Sequence, residues 1–145
     1  MSQDLPRLES LIGYQLKHLQ SLLRARMEEV LRPLELSTPQ YACLELLRRS
    51  PGASNSELAR GAFVTRQAMN TLLRGLQERG LVTRPSTVDT GRARPTTLTP
   101  EGEQLLDEAV AAVAGIEERL VSGLDEDAQR GFAEAIESCI EALQD

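Results

Sequence analysis

The chain has 145 residues, a formal net charge of −6 at pH 7 and 41% hydrophobic residues, which predicts one soluble domain. No run of about 18 apolar residues occurs, and the N-terminus lacks a basic segment followed by an apolar one, so neither a membrane span nor a secretory signal is predicted. With only two cysteines, no disulfide framework is expected and a cytoplasmic location is the default prediction.

Two helices are predicted in the first third of the chain. Between residues 7 and 32, apolar side chains recur at steps of three and four, which predicts a long amphipathic helix that ends at Pro33. Ser37 and Gln40 form a capping box that starts a second helix, which extends to about Arg49. Because this second helix is apolar nearly all round, it should lie at the centre of the fold.

The next segment predicts a helix-turn-helix. Ser54 and Glu57 form a second capping box, which opens a short helix that ends near Gly61. Thr65 caps another helix after a three-residue connection, and Gly80 ends that helix in the left-handed conformation. Two helices joined by so short a turn are the arrangement that many DNA-binding proteins use.

A small β-hairpin and two more helices complete the predicted fold. Strand candidates at residues 81–84 and 94–98 flank a loop, and a hairpin that directly follows a helix-turn-helix is the wing of a winged helix. Thr99 followed by Pro100 starts the next helix, and Asp125 caps the last one. The predicted fold class is therefore mainly α, a winged helix-turn-helix with a small β-hairpin wing and with helices at both ends.

The second helix of the helix-turn-helix has a polar side that suits DNA bases. An α-helix turns about 100° per residue, which places four polar residues within roughly 100° of one side and the apolar residues opposite them. Side chains of these types can pair with adenine or guanine or touch the thymine methyl group. The candidate DNA-contacting residues are Gln67, Asn70, Thr71 and Arg74, with Arg66 at the edge of the arc and Thr65 at the cap, where it can also contact phosphate.

Charge is distributed unevenly along the chain. Residues 48–94 carry nine Arg and three acidic residues, a net charge of +6, whereas residues 95–145 carry a net charge of −11. Arg offers a planar fork of donors that suits phosphates and guanine edges. The middle third therefore predicts contact with a polyanion, although charge also varies along chains that bind none.

No residues suggest catalysis or a bound cofactor. Motifs for nucleophilic catalysis or phosphate binding are missing, so enzymatic activity is not expected. His18 is the only histidine, and a single histidine with two scattered cysteines gives a metal site no support. Cys43 and Cys139 lie on apolar helix faces and are expected to be small core residues rather than redox sensors.

Three segments carry a resemblance to a known family: LSTPQYACLELL (36–47), NSELARGAFVTRQAMNTLLRGLQERGLVTR (55–84) and GRARPTTLTPEG (91–102). In this order and spacing they resemble the MarR family of bacterial winged-helix regulators. The resemblance implies a homodimeric repressor that binds a pseudo-palindromic operator in double-stranded DNA. It assigns residues 1–35 and 100–145 to a helical dimerisation region and residues 36–99 to the DNA-binding region, within one integrated domain.

The same resemblance assigns a recognition helix and a wing. The family's recognition helix falls on residues 65–79 and its wing on residues 85–95, where Arg92 and Arg94 are candidates for contact with the minor groove. The family's wing usually carries an Asp-Arg-Arg run, and Thr90-Gly91-Arg92 stands in its place here. Arg92 is therefore the best candidate for the minor groove.

An effector site is also implied by the resemblance. Members of the family often bind small aromatic, frequently anionic, ligands between the dimerisation region and the winged helix. The corresponding candidates in this chain are Tyr14, His18 and Tyr41.

One alternative function belongs to another class. Winged helices also serve as protein-interaction modules that bind no DNA. The Arg-only composition of the basic segment and the mostly uncharged polar side of the predicted recognition helix favour DNA instead.

Overall fold

The computed structural model describes residues 5–84 and 96–145 and confirms the mainly helical winged helix-turn-helix. In chain order the elements are α1 (Ile12–Leu31), α2 (Thr38–Arg49), α3 (Asn55–Ala62), α4 (Arg66–Glu78), β1 (Val82–Thr83), β2 (Thr97–Leu98), α5 (Pro100–Leu120) and α6 (Glu126–Leu143). The predicted loop between the strands, with Arg92 and Arg94, lies outside the described residues.

The first helix is shorter than its sequence pattern predicted. Residues 8–10 form a 3₁₀ turn, and Leu11 has an extended backbone with ψ of 129°, so the α-helix begins only at Ile12. Side chain periodicity does not detect such a break, because a 3₁₀ turn and an α-helix place apolar residues at similar steps. At its other end α1 stops at Leu31, two residues before Pro33.

The predicted helix caps are present. Ser37 Oγ accepts a hydrogen bond from the amide of Gln40 at 3.2 Å, and the Gln40 side chain accepts one from the Ser37 amide at 2.9 Å. Ser54 and Glu57 make the same reciprocal pair at the start of α3. These local bonds satisfy amides that have no partner inside a helix, so they define where α2 and α3 begin.

One hydrophobic core joins the terminal helices to the middle of the chain. Leu44 of α2, Leu58 of α3 and Leu73 of α4 are fully buried at its centre. Leu31 from α1 and Leu106 from α5 belong to the same core and are also fully buried. The helix-turn-helix is therefore fixed to the helices that precede and follow it.

The hairpin is attached to the start of α5 by a close backbone contact. Its two strands pair antiparallel, and the Thr99 hydroxyl directly after β2 donates to the Gly80 carbonyl at 2.6 Å. The same hydroxyl accepts from the Gly102 amide at 3.0 Å. A Cβ atom on Gly102 would lie 2.1 Å from the carbonyl oxygen of Leu81, so only glycine allows α5 to approach this closely.

The last helix packs very little against its own chain. No residue of α6 is buried, and Ile140 is 50% exposed. The prediction that Cys139 is a core residue is therefore wrong for the single chain, where Cys139 is exposed. The apolar stripe of α6 is real, but no part of the described chain covers it.

Among the described residues, no helix has the length and apolar character needed to cross a membrane.

Replacing Gly102 by alanine should destabilise the fold. The added methyl group would force the start of α5 away from Leu81, which should lower the free energy of unfolding by about 1–3 kcal/mol in urea titrations. Gly115 is the matched control, because it lies in the same helix and a Cβ there meets open space. Gly115→Ala should instead stabilise the helix by roughly 0.5–1 kcal/mol. Equal effects of the two substitutions would contradict the close contact.

Candidate nucleic-acid interface

Packing of α4 determines which of its sides faces outward. Met69, Leu73 and Leu76 have no exposed surface and anchor the helix in the core. Gln67 and Arg74, predicted to contact bases, lie on the opposite side and are exposed. The polar side is therefore presented to solvent along the length of the helix.

The start of α4 is fixed by two side-chain hydrogen bonds. Thr65 caps the helix as predicted, since its hydroxyl accepts from the Ala68 amide at 3.0 Å. Nε of Arg66 donates to the Ser56 hydroxyl of α3 at 2.9 Å. Arg66 is exposed and this bond uses only Nε, so its terminal guanidinium nitrogens are left to donate to a phosphate.

Asn70 differs from the other predicted contact residues because its side chain is half-buried. Its Oδ1 accepts a hydrogen bond from the Asn55 side chain and lies 3.5 Å from Nη2 of Arg84. An arginine carries no acceptor, so the atom facing it must be the oxygen. A two-pronged contact with adenine uses both the oxygen and the amide hydrogens of an asparagine. Because the oxygen of Asn70 already accepts from Asn55 and faces Arg84, its amide hydrogens are the part left for a single contact with a base.

The sequence pattern did not single out Asn55 and Arg84, which hold Asn70 in place. Asn55 is the first residue of α3, and Arg84 directly follows β1. The network therefore joins α3, the recognition-helix candidate α4 and the end of β1 at the base of the wing. The remaining predicted residue, Thr71, is exposed, and its hydroxyl donates to the Gln67 carbonyl at 3.2 Å.

The far end of α4 is tied to the connection between α1 and α2. Nη1 of Arg79 donates to the Glu35 carbonyl at 2.6 Å, and Nη2 donates to the Leu34 carbonyl at 3.3 Å. Glu35 has a left-handed backbone with φ of 55°, which turns its carbonyl group away from the course of a helix. Both ends of α4 are thus held by the surrounding chain.

The three effector candidates lie on two helices, α1 and α2, and differ in burial. Tyr41 is half-buried, and burial, followed by the negative charge of Glu45, raises the pKa of its hydroxyl. Tyr14 and His18 are exposed on α1. A groove of about 460 Å³ between α1 and α5 contains none of the three. Its lining residues are Leu19, Leu22, Leu23, Arg26, Ile116, Arg119 and Leu120.

Cys43 is a buried core residue, as predicted. Its sulfur lies 3.6 Å from that of Met69, and burial raises the pKa of the thiol to about 11. Little reactive thiolate therefore exists at neutral pH. Within residues 5–84 and 96–145, no group of three His, Cys, Asp or Glu side chains could hold a metal ion.

A short helix, a tight turn, a second helix with an exposed polar side and an antiparallel hairpin define a winged helix-turn-helix protein. The sequence profile of the MarR family matches residues 34–93. The HTH-type transcriptional repressor Rv2887 of Mycobacterium tuberculosis is 43% identical over 126 residues, which cover 87% of this chain and 91% of that protein. The chain therefore belongs to the MarR family.

Solved structures agree with this assignment. Rv2887 in complex with DNA has a TM-score of 0.74 and 39% identity, covering 90% of this chain and 98% of its own. Rv2887 in complex with salicylic acid has a TM-score of 0.72 and 40% identity, covering 96% of this chain and 99% of its own. A MarR-family regulator from Rhodococcus sp. RHA1 reaches a TM-score of 0.82 at 25% identity, with 93% and 96% covered.

Proposed function

We propose that this chain is a transcriptional repressor that binds a pseudo-palindromic operator as a homodimer. The exposed polar side of α4, with Gln67, Thr71 and Arg74, carries the proposal. The similarity to Rv2887, a protein named as a repressor and crystallised with DNA, supports it. The proposal includes no catalytic activity.

The dimensions and charges of α4 suit the major groove. Its 13 residues give a rod roughly 20 Å long, and the groove of B-DNA is about 12 Å wide. The unbonded amides at its N-terminus and the Thr65 hydroxyl form a site suited to a phosphate. Residues 55–84 carry five Arg and two Glu, a net charge of +3, so this surface attracts DNA although the whole chain is acidic.

The alternative function, a protein-interaction module, is disfavoured by the same surface. Protein-binding faces usually contain large apolar or aromatic residues at their centre. The outward side of α4 between Gln67 and Arg74 has polar and charged side chains instead.

DNA binding can be tested by fluorescence anisotropy on a labelled duplex from the region upstream of this protein's own gene. The logarithm of affinity should fall linearly with the logarithm of salt concentration, by about 0.9 for each phosphate contacted. Arg74→Ala should weaken binding roughly tenfold, whereas Arg130→Ala on α6 should leave it unchanged.

Arg92→Ala should weaken binding to all sequences, and Asn70→Ala should relax the preference at one base pair. Binding that does not depend on salt would favour the protein-interaction alternative.

The homodimer is supported by two apolar surfaces that the single chain leaves uncovered. One is the stripe of α6, where Ile136 is 39% exposed and Leu143 is 88% exposed. The other is α1, where Leu16 and Leu22 are about half exposed beside the groove with α5. Soluble proteins rarely leave large continuous apolar surfaces in water, so a second copy is the proposed cover. Two-fold symmetry would then place two α4 helices roughly 34–36 Å apart, one turn of DNA.

Ile140→Asp should separate the dimer. The substitution places an unpaired charge in the proposed apolar interface, which should increase the dissociation constant at least about 100-fold in sedimentation experiments. Ser138→Asp is the matched control, because it adds the same charge roughly 160° away on α6. DNA affinity should fall in Ile140→Asp but not in Ser138→Asp. A wild-type chain that sediments as a monomer at all concentrations would refute the homodimer.

An aromatic anion is the proposed effector. The crystal structure of Rv2887 with salicylic acid supports this ligand class. We propose Tyr14, His18 and Tyr41 as its site, between α1 and the winged helix, because family members often bind ligands in that region. Binding there would weaken DNA affinity by favouring a dimer in which the two α4 helices no longer match the spacing of the grooves.

Salicylate should lower the affinity of the wild-type protein for the duplex. Tyr41→Ala and His18→Ala should need salicylate concentrations roughly tenfold higher or more to lose DNA affinity to the same extent. Without salicylate, both variants should bind the duplex as the wild type does. Arg119→Ala in the groove between α1 and α5 should respond like the wild type. Loss of the response in Arg119→Ala alone would place the effector in that groove instead.

A further inference from the structure

Phe63 is the most exposed large hydrophobic residue of the described chain. It lies in the turn between α3 and α4, and 94% of its surface is accessible to solvent. The next residue, Val64, packs against the hydrophobic core. The two neighbours therefore differ in burial, and no residue within 5–84 and 96–145 gives the ring of Phe63 an apolar cover.

The backbone of Phe63 has a conformation that favours glycine. Its φ is 59° and its ψ is 40°, which is the left-handed region. The amide of Val64 donates to the Ala59 carbonyl at 3.0 Å, and the amide of Phe63 donates to the Arg60 carbonyl at 3.2 Å. This is the usual hydrogen-bonded end of a helix, in which glycine normally occupies the left-handed position. An aromatic residue here is strained and gains no burial in exchange, which points to a function outside the chain.

The location of Phe63 indicates what it contacts. It precedes the cap residue Thr65 by two positions, so it lies at the end of α4 that is proposed to enter the major groove. Arg60 and Arg66 are its exposed cationic neighbours on the two helices. The proposed dimer interface is built from α1 and α6, and Phe63 lies on neither helix. An exposed aromatic residue with an exposed arginine three positions away on either side in sequence is suited to DNA.

We infer that Phe63 is a DNA-contacting residue whose ring packs on an apolar group at the edge of the major groove. Two groups of DNA have this chemistry, the C5 methyl of thymine and the deoxyribose. The inference rests on the proposed function and adds an apolar contact to the polar ones of α4. Phenylalanine contact with the thymine methyl group is a known form of base recognition.

The test separates DNA affinity from folding stability. Phe63→Gly removes the ring and relieves the backbone strain, and Phe63→Asn does so while keeping a Cβ atom. Both variants should unfold at the same temperature as the wild type or a higher one. Both should bind the upstream duplex roughly three to ten times more weakly. Phe63→Tyr keeps the ring and should bind like the wild type.

A duplex in which uracil replaces every thymine distinguishes the two DNA groups. If the ring contacts a thymine methyl, the wild type should lose affinity on this duplex and Phe63→Gly should lose less. If it contacts deoxyribose, both proteins should lose affinity by the same factor.

Three results would overturn the inference. If Phe63→Gly and Phe63→Asn bind DNA as tightly as the wild type, the ring makes no contact with DNA. The proposed function would still stand. A clear fall in unfolding temperature in both variants would show that the ring packs on the protein. Unchanged DNA binding with lost repression in cells would indicate a protein partner. A wild type that binds no DNA would instead remove the proposed function itself.

Discussion

The orientation of α4 about its own axis is the constraint on which the rest of this structure depends. Met69, Leu73 and Leu76 have no exposed surface, so the helix cannot turn by even one residue, about 100°, without moving apolar side chains into water. Because these three apolar residues are fixed in the core, Gln67 and Arg74 must point outward. The proposed function is therefore a consequence of core packing: the residues offered to DNA are those that the core excludes.

Local sequence signals predicted most of this fold. Capping boxes and apolar periodicity are interactions among residues three or four apart, so the starts of α2 and α3 could be predicted from the chain alone. The contact of Asn70 with Asn55 could not, because it depends on how two helices pack. Periodicity also predicted that the stripe with Cys139 is covered, but it cannot tell whether the cover is the same chain or another.

Two positions, Gly102 and Phe63, show how differently backbone constraints are resolved. At Gly102 the closeness of Leu81 excludes any side chain, and the sequence has the residue that fits. At Phe63 the left-handed backbone also favours glycine, but the sequence has a large aromatic residue. The first position joins α5 to the wing and serves stability. The second departs from what stability favours, and it lies on the surface proposed to meet DNA.

The hydrogen bonds from Arg79 to the Glu35 and Leu34 carbonyls make α4 a lever with its pivot at the C-terminal end. The acceptors are backbone atoms, so α4 follows the path of the chain between α1 and α2, whichever side chains that segment carries. Along a helix roughly 20 Å long, a tilt of about 6° at the pivot displaces the opposite end by roughly 2 Å. Because Arg66 bonds α4 to Ser56 of α3, a rotation of α1 that tilts these two helices together would be amplified at the end that carries Thr65, Arg66 and Gln67.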